Sequence, residues 1–363
     1  MSVIEHIESP LLDELCTRLR ELGSELDRPG DDGLFPWPEQ QLALCGEYGV
    51  FRWFIEKDHG GLGWSDEDLV RGYLALSASC LTTTFIITQR TGACRRIINS
   101  ESDFAIGNLL PDLISGSAFS TLGISHLTTS HRHLAKPVLT AEASDTGFVL
   151  NGFSPWVTGG DQADTIVVGA TMSDGRQVLT ICPTSIQGVI AERPADLVAL
   201  SSSHTGRVIF EDVEVDRKWL LGGPAENVMS TGVGAKTGGL QTSTLAVGLA
   251  SGAIEFLEAE SAKRDDLVLA MEALKQEHAE LRDQLIQAAA GEIECSNEQV
   301  RTSANSLVLR ATQASLAAAK GAGFVTGHPA GRWCREALFF MVWSCPQPVV
   351  NAQMCQLAGI TTE

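Results

Sequence analysis

Leu11, Leu12, Leu15, Leu19, Leu22 and Leu26 recur at helical spacing between residues 10 and 28, and so mark one stripe of an amphipathic helix. Pro10 and Asp13 stand near its start, as a helix N-terminus favours. Further helical patterns cover about 38 to 47, 66 to 79 and 83 to 99, interrupted by the glycine-rich turn His59-Gly60-Gly61-Leu62-Gly63. From about 137 the period changes. PVLTAEA, GFVLNG, DTIVVGAT, RQVLTIC and GRVIFEDVEV are short β-branched runs separated by Asp-Thr-Gly, Asp-Gly and Ser-rich turns, which predicts an antiparallel sheet or small barrel. After Leu221-Gly222-Gly223-Pro224 helical runs return near 226 to 262, 266 to 290, 297 to 320 and 348 to 358. Helices, strands, then helices predict an α+β protein: an N-terminal helical domain over 1–115, a middle β-domain over 116–224 and a C-terminal helical domain over 225–363.

The stretch from Gly232 to Gly252 is rich in Gly, Ala, Ser and Thr, the composition of a helix that neighbours can approach closely. The charged segment from Glu272 to Asp283 reads as a solvated helix face. With 44% hydrophobic and 20% charged residues among 363, the chain can fill one large core or two to three packed units. A formal charge of −19 and a pI near 4.8 argue against binding to phosphate backbones or anionic lipid. The N-terminus is acidic where a signal peptide is basic, and the apolar run Leu338–Trp343 is far too short to span a bilayer, so a cytoplasmic protein is expected. Nine scattered cysteines without a C-x-x-C pair read as buried free thiols.

Several glycine and histidine groupings invite a chemical reading. Gly232-x-Gly234 and Gly321-x-Gly323 lack the preceding strand and third glycine of a Rossmann loop, and no P-loop lysine follows a G-x-x-x-x-G. His126, His131 and His133 lie close together, but no carboxylate or cysteine completes a metal set nearby; a loop lining a pocket, or a histidine facing a cofactor or substrate, are the other readings. Cys345 beside Pro346 follows an apolar run and reads as a buried thiol or a reactive one. The more specific signal is Pro155-Trp156-Val157-Thr158-Gly159-Gly160 between two strands. It offers a flat apolar wall, a hydroxyl and bendable amides in one place, which suits a planar polar ring, although a tryptophan in such a turn also serves packing.

Together these segments resemble the acyl-CoA dehydrogenase family in order and spacing along nearly the whole chain. Gly49-Val50 and His59–Gly63 resemble its "GV…YGGLG", and Leu109-Leu110-Pro111-Asp112-Leu113-Ile114-Ser115-Gly116 its "LP.L.SGE" turn into the β-domain. Val149–Gly152, Trp156–Gly160 and Ala163-Asp164 resemble "Y.LNG.K.WITNG..AD"; Phe210–Val215 through Leu220–Gly222 resemble "F.DV.VP…LLG". Lys263-Arg264, Gly321-Ala322-Gly323-Phe324 and Arg335-Glu336-Ala337 match the arginine after the first long C-terminal helix, the "GG.G" turn and "RDA". The resemblance implies a C-terminal four-helix bundle and a homodimer or homotetramer holding FAD between domains and across a subunit boundary. Trp156, Val157 and Thr158 are then expected at the flavin ring and its N5 edge, Arg264 at the pyrophosphate of a neighbouring copy, and the Gly321 backbone along the same cofactor. The substrate is expected to be an acyl thioester.

Three departures from the family pattern matter. The flavin loop "TEP..GSD" here reads Thr121-Leu122-Gly123-Ile124-Ser125-His126-Leu127, which assigns Leu122, Gly123 and Ser125 to the cofactor and brings His126 close to the flavin edge. After Arg264 the usual "FG" is Asp265-Asp266, two negative charges where a phosphate is expected. The catalytic "YEGT" falls on Trp343-Ser344-Cys345-Pro346, so the base position is Ser344, and the alternative position on the first long helix falls near Thr242. A neutral serine cannot take a proton from carbon unaided. Three readings follow: an FAD-dependent acyl-CoA dehydrogenase-like oxidoreductase with an atypical or missing base, a flavin-dependent monooxygenase of the same fold, or a non-catalytic acyl-thioester-binding protein.

Overall fold

The computed structural model describes residues 3–100, 102–128, 137–232 and 239–360. Helices come first: α1 (Pro10–Leu22), α2 (Glu39–Glu47), α3 (Val50–Trp53), α4 (Asp66–Ser79), α5 (Leu81–Asn99) and α6 (Asp103–Ser115). At the start of α4 the Ser65 hydroxyl accepts from the Asp68 amide, and Asp66, Glu67 and Asp68 fill the first turn, so a cap and negative charge both meet the helix N-terminus. Ser102 caps α6 in the same way. The segment expected as a turn from Leu109 is helical as far as Ser115, and only Gly116, at φ 87°, reverses the chain. Arg90 of α5, stacked 4.1 Å over the Phe51 ring, donates to the Leu113 carbonyl near the end of α6, where a cation suits the helix dipole.

The middle of the chain forms β1 (Ser120–Gly123), α7 (Ser125–Thr128), β2 (Leu139–Ala143), β3 (Gly147–Val157), β4 (Thr165–Thr171), β5 (Gln177–Pro183), β6 (Val189–Ala191), β7 (Gly206–Asp216) and β8 (Leu220–Ala225). The sheet order is β6-β7-β3-β2-β4-β5-β8, with β1 on β4. Most pairings are antiparallel, as the turn chemistry predicts. β1, however, runs parallel to β4 from Ser120↔Thr165 to Gly123↔Val168, and β2 meets β4 only at Thr140↔Thr171. One edge of β4 is thus served by two strands in succession, and between them the chain leaves the sheet as α7.

Of the helix expected from about 226, Val228–Ser230 forms only a single 3-10 turn and the described helix runs from Gln241, while Leu220–Ala225 before it pairs with β5. The C-terminal helices are α8 (Gln241–Ser261), α9 (Val268–Ala289), α10 (Asn297–Gly323), α11 (Pro329–Ala337), α12 (Phe339–Val342) and α13 (Gln347–Leu357). α8 lies between α4 and α10. Ser77 of α4 donates to the Leu245 carbonyl and Ser315 of α10 to the Ala253 carbonyl, each at 2.7 Å. Gly234, in the small-residue stretch, lies outside the described residues.

One hydrophobic core joins N-terminal and C-terminal helices, including Leu15, Trp53, Leu76, Leu249, Leu307 and Phe340. A second fills one face of the sheet around Leu150, Val168 and Phe210. A third packs α5 and α6 on the other face through Ile97, Leu110, Val167 and Ile181. Five of the nine cysteines (16, 45, 80, 94 and 182) are buried and the other four only half-buried, which corrects the expectation for Cys295, Cys334, Cys345 and Cys355. Among the described residues no helix is long and apolar enough to cross a membrane.

The α4–α8 seam makes a direct prediction. A Cβ at Gly248 would stand 2.7 Å from the Leu74 carbonyl oxygen and 2.8 Å from Ser77 Cβ. Gly248→Ala should therefore push the two helices apart and cost about 1–3 kcal/mol, despite the better helix propensity of alanine. Urea unfolding of the two proteins measures it.

Candidate functional site

The turn that ends β3 is built by a bulge. Pairing with β7 shifts register between Ser154 and Val157, which breaks strict alternation and re-aims the side chains there. Ser154, Val157 and Thr158 are buried, whereas the Trp156 indole is 40% exposed. Gly159 follows at φ 62°; a Cβ there would meet the Phe119 and Trp37 rings at 2.7 Å, so both the backbone and the space demand glycine. Its amide donates to the carbonyls of Ser203 and His204 at 2.9 and 3.0 Å.

β1 forms the neighbouring wall. Thr121 Oγ1 donates to the Thr158 carbonyl at 2.7 Å. A Cβ at Gly123 would lie 3.2 Å from Ser154 Oγ, so β1 approaches β3 closely at this point. The Ser154 and Ser125 hydroxyls are buried and have no hydrogen-bond partner among the described residues. Two unpaired buried hydroxyls are costly unless a ligand or water satisfies them. The Ser125 hydroxyl lies in the segment that the resemblance assigns to the flavin, where a ring with a hydrogen-bonding edge would satisfy it.

The remaining residues singled out from the sequence divide into groups. Leu122 turns toward α5, where a Cβ on Gly92 would meet its Cδ1. His126 Nε2 lies 2.7 Å from the Gly169 carbonyl, so the imidazole anchors α7 to β4. His131 and His133 lie outside the described residues, and among those described no His, Cys, Asp and Glu cluster could hold a metal. Arg264 and the chain before Gly321 do meet: Arg264 Nη1 donates to the Ala318 carbonyl at 2.8 Å, while Nη2 pairs with Asp266 at 3.2 Å. The acidic neighbour thus holds the guanidinium. Lys320 leaves helical geometry at φ 55°, and the space around Gly321 is open.

Ser344, half-buried, follows α12 at φ 43°. The preceding Trp343 stacks on Phe339 at 5.3 Å and meets Phe85 of α5 edge-on at 4.8 Å, and Arg301 donates to its carbonyl at 3.0 Å. Burial raises the pKa of the adjacent Cys345, opposed by Arg301, which favours an inert thiol. Glu255 and Glu258 on α8 pair with Arg20 and Lys275 on exposed surface, and so do not replace a base in an enclosed site.

Two arrangements escaped the sequence reading. His204, in the left-handed region at φ 48°, holds Asp161 Oδ2 with Nδ1 and the Phe35 carbonyl with Nε2, both at 2.7 Å. Both partners are acceptors, so the ring must carry both protons to satisfy them. Burial pulls the His204 pKa down, but the Asp161 and Phe35 hydrogen bonds and the Asp161 charge outweigh it and leave the pKa raised. Burial likewise opposes ionisation of Asp161, and the hydrogen bonds from His204 and Gln162 prevail to lower its pKa. The second is Glu336 of α11, fully buried, 3.7 Å from Arg332, whose pKa burial pushes to about 7 against the pull of Arg332. Positions 43 residues apart gave no signal for the first, and the second hides within a family-like Arg-Glu-Ala.

A strap between α1 and α2 ties these parts together. The Leu26 carbonyl accepts from Ser202, Asp27 pairs with Arg335, and Arg28 donates to the Thr326 carbonyl. The Asp32 and Gly33 carbonyls accept from Arg193, and Trp37 packs against Phe119 and His204. One short segment thus reaches both the Gly159 turn and the helix that leads to Ser344.

A helical part, a largely antiparallel sheet and a second helical part, with a candidate site where one sheet edge is interrupted, define the acyl-CoA dehydrogenase fold. The structure superimposes on butyryl-CoA dehydrogenase from Megasphaera elsdenii with a TM-score of 0.79 at 16% identity, covering 96% of this chain and 98% of that one. Glutaryl-CoA dehydrogenase from Mycobacterium smegmatis in complex with FADH2 gives 0.77 at 16% identity, over 98% and 96%. In sequence the chain is 24% identical over 243 residues to the probable acyl-CoA dehydrogenase YngJ of Bacillus subtilis (strain 168), covering 65% of this chain and 63% of that protein. The match therefore spans less than two thirds of that relative. No family model matches. The resemblance read from the motifs holds: in sequence and in fold this chain is similar to the acyl-CoA dehydrogenases.

The doubly bonded His204 sets a pH signature. Its folded pKa stands above the unfolded value of about 6.5, so its clamp contributes fully below that pH and fades as pH rises through the folded value. His204→Gln, which cannot serve both acceptors with charge-assisted bonds, should lose roughly 1–3 kcal/mol near pH 5.5. The deficit should shrink by pH 9, as read by denaturant unfolding at the two pH values.

Proposed function

We propose that this protein is an FAD-dependent, acyl-CoA dehydrogenase-like oxidoreductase acting on an acyl thioester, in which the usual carboxylate base is missing. The observation that supports it most directly is the exposed Trp156 at the turn matching the family's flavin motif, together with the unpartnered Ser125 hydroxyl in the segment matching the family's flavin loop. FAD bound there would supply the hydride acceptor. In this reading the Trp156 indole would lie against the ring, Val157, buried in the sheet core, would meet it through its backbone, and Thr158 would stand at the N5 edge. Leu122, Gly123 and Ser125 form the loop along the opposite edge. Gly321 and a neighbouring copy's Arg264 complete the cofactor site in a homodimer or homotetramer, with Asp266 displaced from the guanidinium as phosphate takes its place. Ser344 stands where the base belongs. A serine hydroxyl holds its proton near neutral pH, and neither Arg301 nor Cys345 beside it is a proton acceptor there, so α-proton removal is the slow step.

Two experiments test this reading. The purified protein should carry oxidised flavin or bind added FAD saturably, and Thr158→Ala should weaken binding by about 1 kcal/mol, roughly fivefold; absence of any binding overturns the proposal. Under anaerobic saturation with straight-chain acyl-CoA, the wild type should bleach its flavin very slowly. Ser344→Glu should bleach about a hundredfold faster or more, the usual scale for a positioned base. Rapid bleaching by the wild type would place the base elsewhere, whereas none by either protein, with both ligands bound, favours the monooxygenase or non-catalytic reading.

A further inference from the structure

The strap between α1 and α2 meets α11 at a junction with two buried carboxyl groups and too few donors. Asp27 Oδ1 pairs with Arg335, but Asp27 Oδ2 is buried and has no hydrogen-bond partner among the described residues. Glu336 is 4% exposed; Arg332 stands 3.7 Å from its carboxyl, and no hydrogen bond from a described residue reaches it. Arg332 also serves another neighbour. A Cβ on Gly23 would lie 3.2 Å from its Nη1 and 3.3 Å from the Leu19 carbonyl oxygen, so the guanidinium lies against the C-terminal end of α1, where a cation suits the helix dipole. An ionised carboxylate is an acceptor only, and burying one without donors is costly. A protonated carboxyl is neutral and brings a donor of its own.

The titratable and charged groups that face Glu336 are Arg332 and Arg335 on its own helix, Asp27 on the strap and the Cys80 thiol between α4 and α5, whose pKa burial raises. Among the described residues, α8, α10 and α12, which also pack against α11, bring no charge to it. Burial pushes the Glu336 pKa up to about 7; Arg332 pulls it down, Asp27 pushes it up and Arg335 pulls it down. In water such a carboxyl titrates near about 4.3.

We propose that the strap is a proton-linked latch: Glu336 takes up one proton when the strap seats on α11 and gives it up when the strap lifts. With Glu336 neutral, Arg335 is left to Asp27 alone and the strap is held. With Glu336 ionised, its charge repels Asp27 and competes for Arg335, and the strap loosens. The seated carboxyl binds its proton more tightly than the solvated one, so seating is strongest below about pH 4, weakens as pH rises to about 7 and changes no further through this group. The segment that lifts also carries Arg28, bonded to the Thr326 carbonyl, and Phe35, bonded to His204. Its release therefore reaches the Gly159 turn, whatever cofactor or substrate that turn receives.

The test is hydrogen–deuterium exchange of the amides in residues 26–37 of the full-length protein at pH 5.5 and pH 8, corrected for the intrinsic pH dependence of exchange. In the wild type, opening of the strap should increase roughly tenfold or more between the two. His204 adds to the rise, because its bond to the Phe35 carbonyl also weakens with pH, so the deciding comparison is with Glu336→Gln. That variant keeps the shape and cannot ionise. The ratio of wild-type to variant opening should be roughly tenfold larger at pH 8 than at pH 5.5. A ratio that does not change with pH overturns the proposal, as does a strap that opens more in the variant than in the wild type at pH 8. Should Glu336→Gln fail to fold, Asp27→Asn decides. Removing the charge that raises the Glu336 pKa should move the midpoint of pH-dependent opening to lower pH, and an unmoved midpoint overturns the latch.

Discussion

The candidate site depends on one constraint: the Gly159 amide must find two carbonyls that belong to a left-handed turn at Ser203 and His204. A non-glycine residue such as His204 enters that region only when its surroundings over-determine it. Here the imidazole supplies the determination by bridging a carboxylate and a backbone carbonyl. From this follow the direction of the Thr158 carbonyl, the register of Thr205 against Thr158 and the tilted packing of Trp37 and Phe119 beside the glycine.

The far side of the fold shows a different economy of charge. Around Ser344 the cationic Arg301 is spent on the carbonyls of Phe340 and Trp343 and on Asn305, which fixes the shape of the α12 corner. The nearest strongly perturbed carboxyl in the sequence, Glu336, is enclosed with Arg332 on the same helix, while its neighbour Arg335 ties α11 to the strap. In the reading proposed above, the scaffold leaves the base position to the Ser344 hydroxyl. Such a scaffold still offers an enclosed apolar corner of Phe85, Phe339 and Trp343.

The legible features were those governed by local periodicity and turn chemistry. The leucine stripe marked α1, the helical pattern over 66–79 marked α4, and the change to period two marked β2, β3, β4, β5 and β7. What local pattern could not give was pairing between distant segments. β1 is four residues with no alternation to speak of, and only its parallel register on β4 makes it a strand. β8 contains Gly-Gly-Pro, which reads as a break in any local scheme. Within the site, Trp156 and Thr158 announced themselves by type and order, whereas Thr205, Ser203 and His204 are ordinary polar residues until the fold sets them beside the turn. The Asp265-Asp266 pair after Arg264 was legible as a charge, and Asp266 does sit on the guanidinium.

The strap from Leu26 to Trp37 has a consequence for synthesis. Its partners are Arg193, Ser202 and His204 in the connection between β6 and β7, and Thr326 and Arg335 near the end of the chain. A ribosome delivers the strap first and the last of those partners some three hundred residues later, so the Asp27 carboxylate and the Arg28 guanidinium spend most of translation in water. Long-range closure of this kind is slow, because the loop entropy is lost before the contacts form. The N-terminal helices can collapse early around their own leucines, but their final seating waits for the C-terminal ones. A nascent chain halted before α11 would expose an unlatched hinge at the site, and the three parts of the protein mature as one unit rather than in turn.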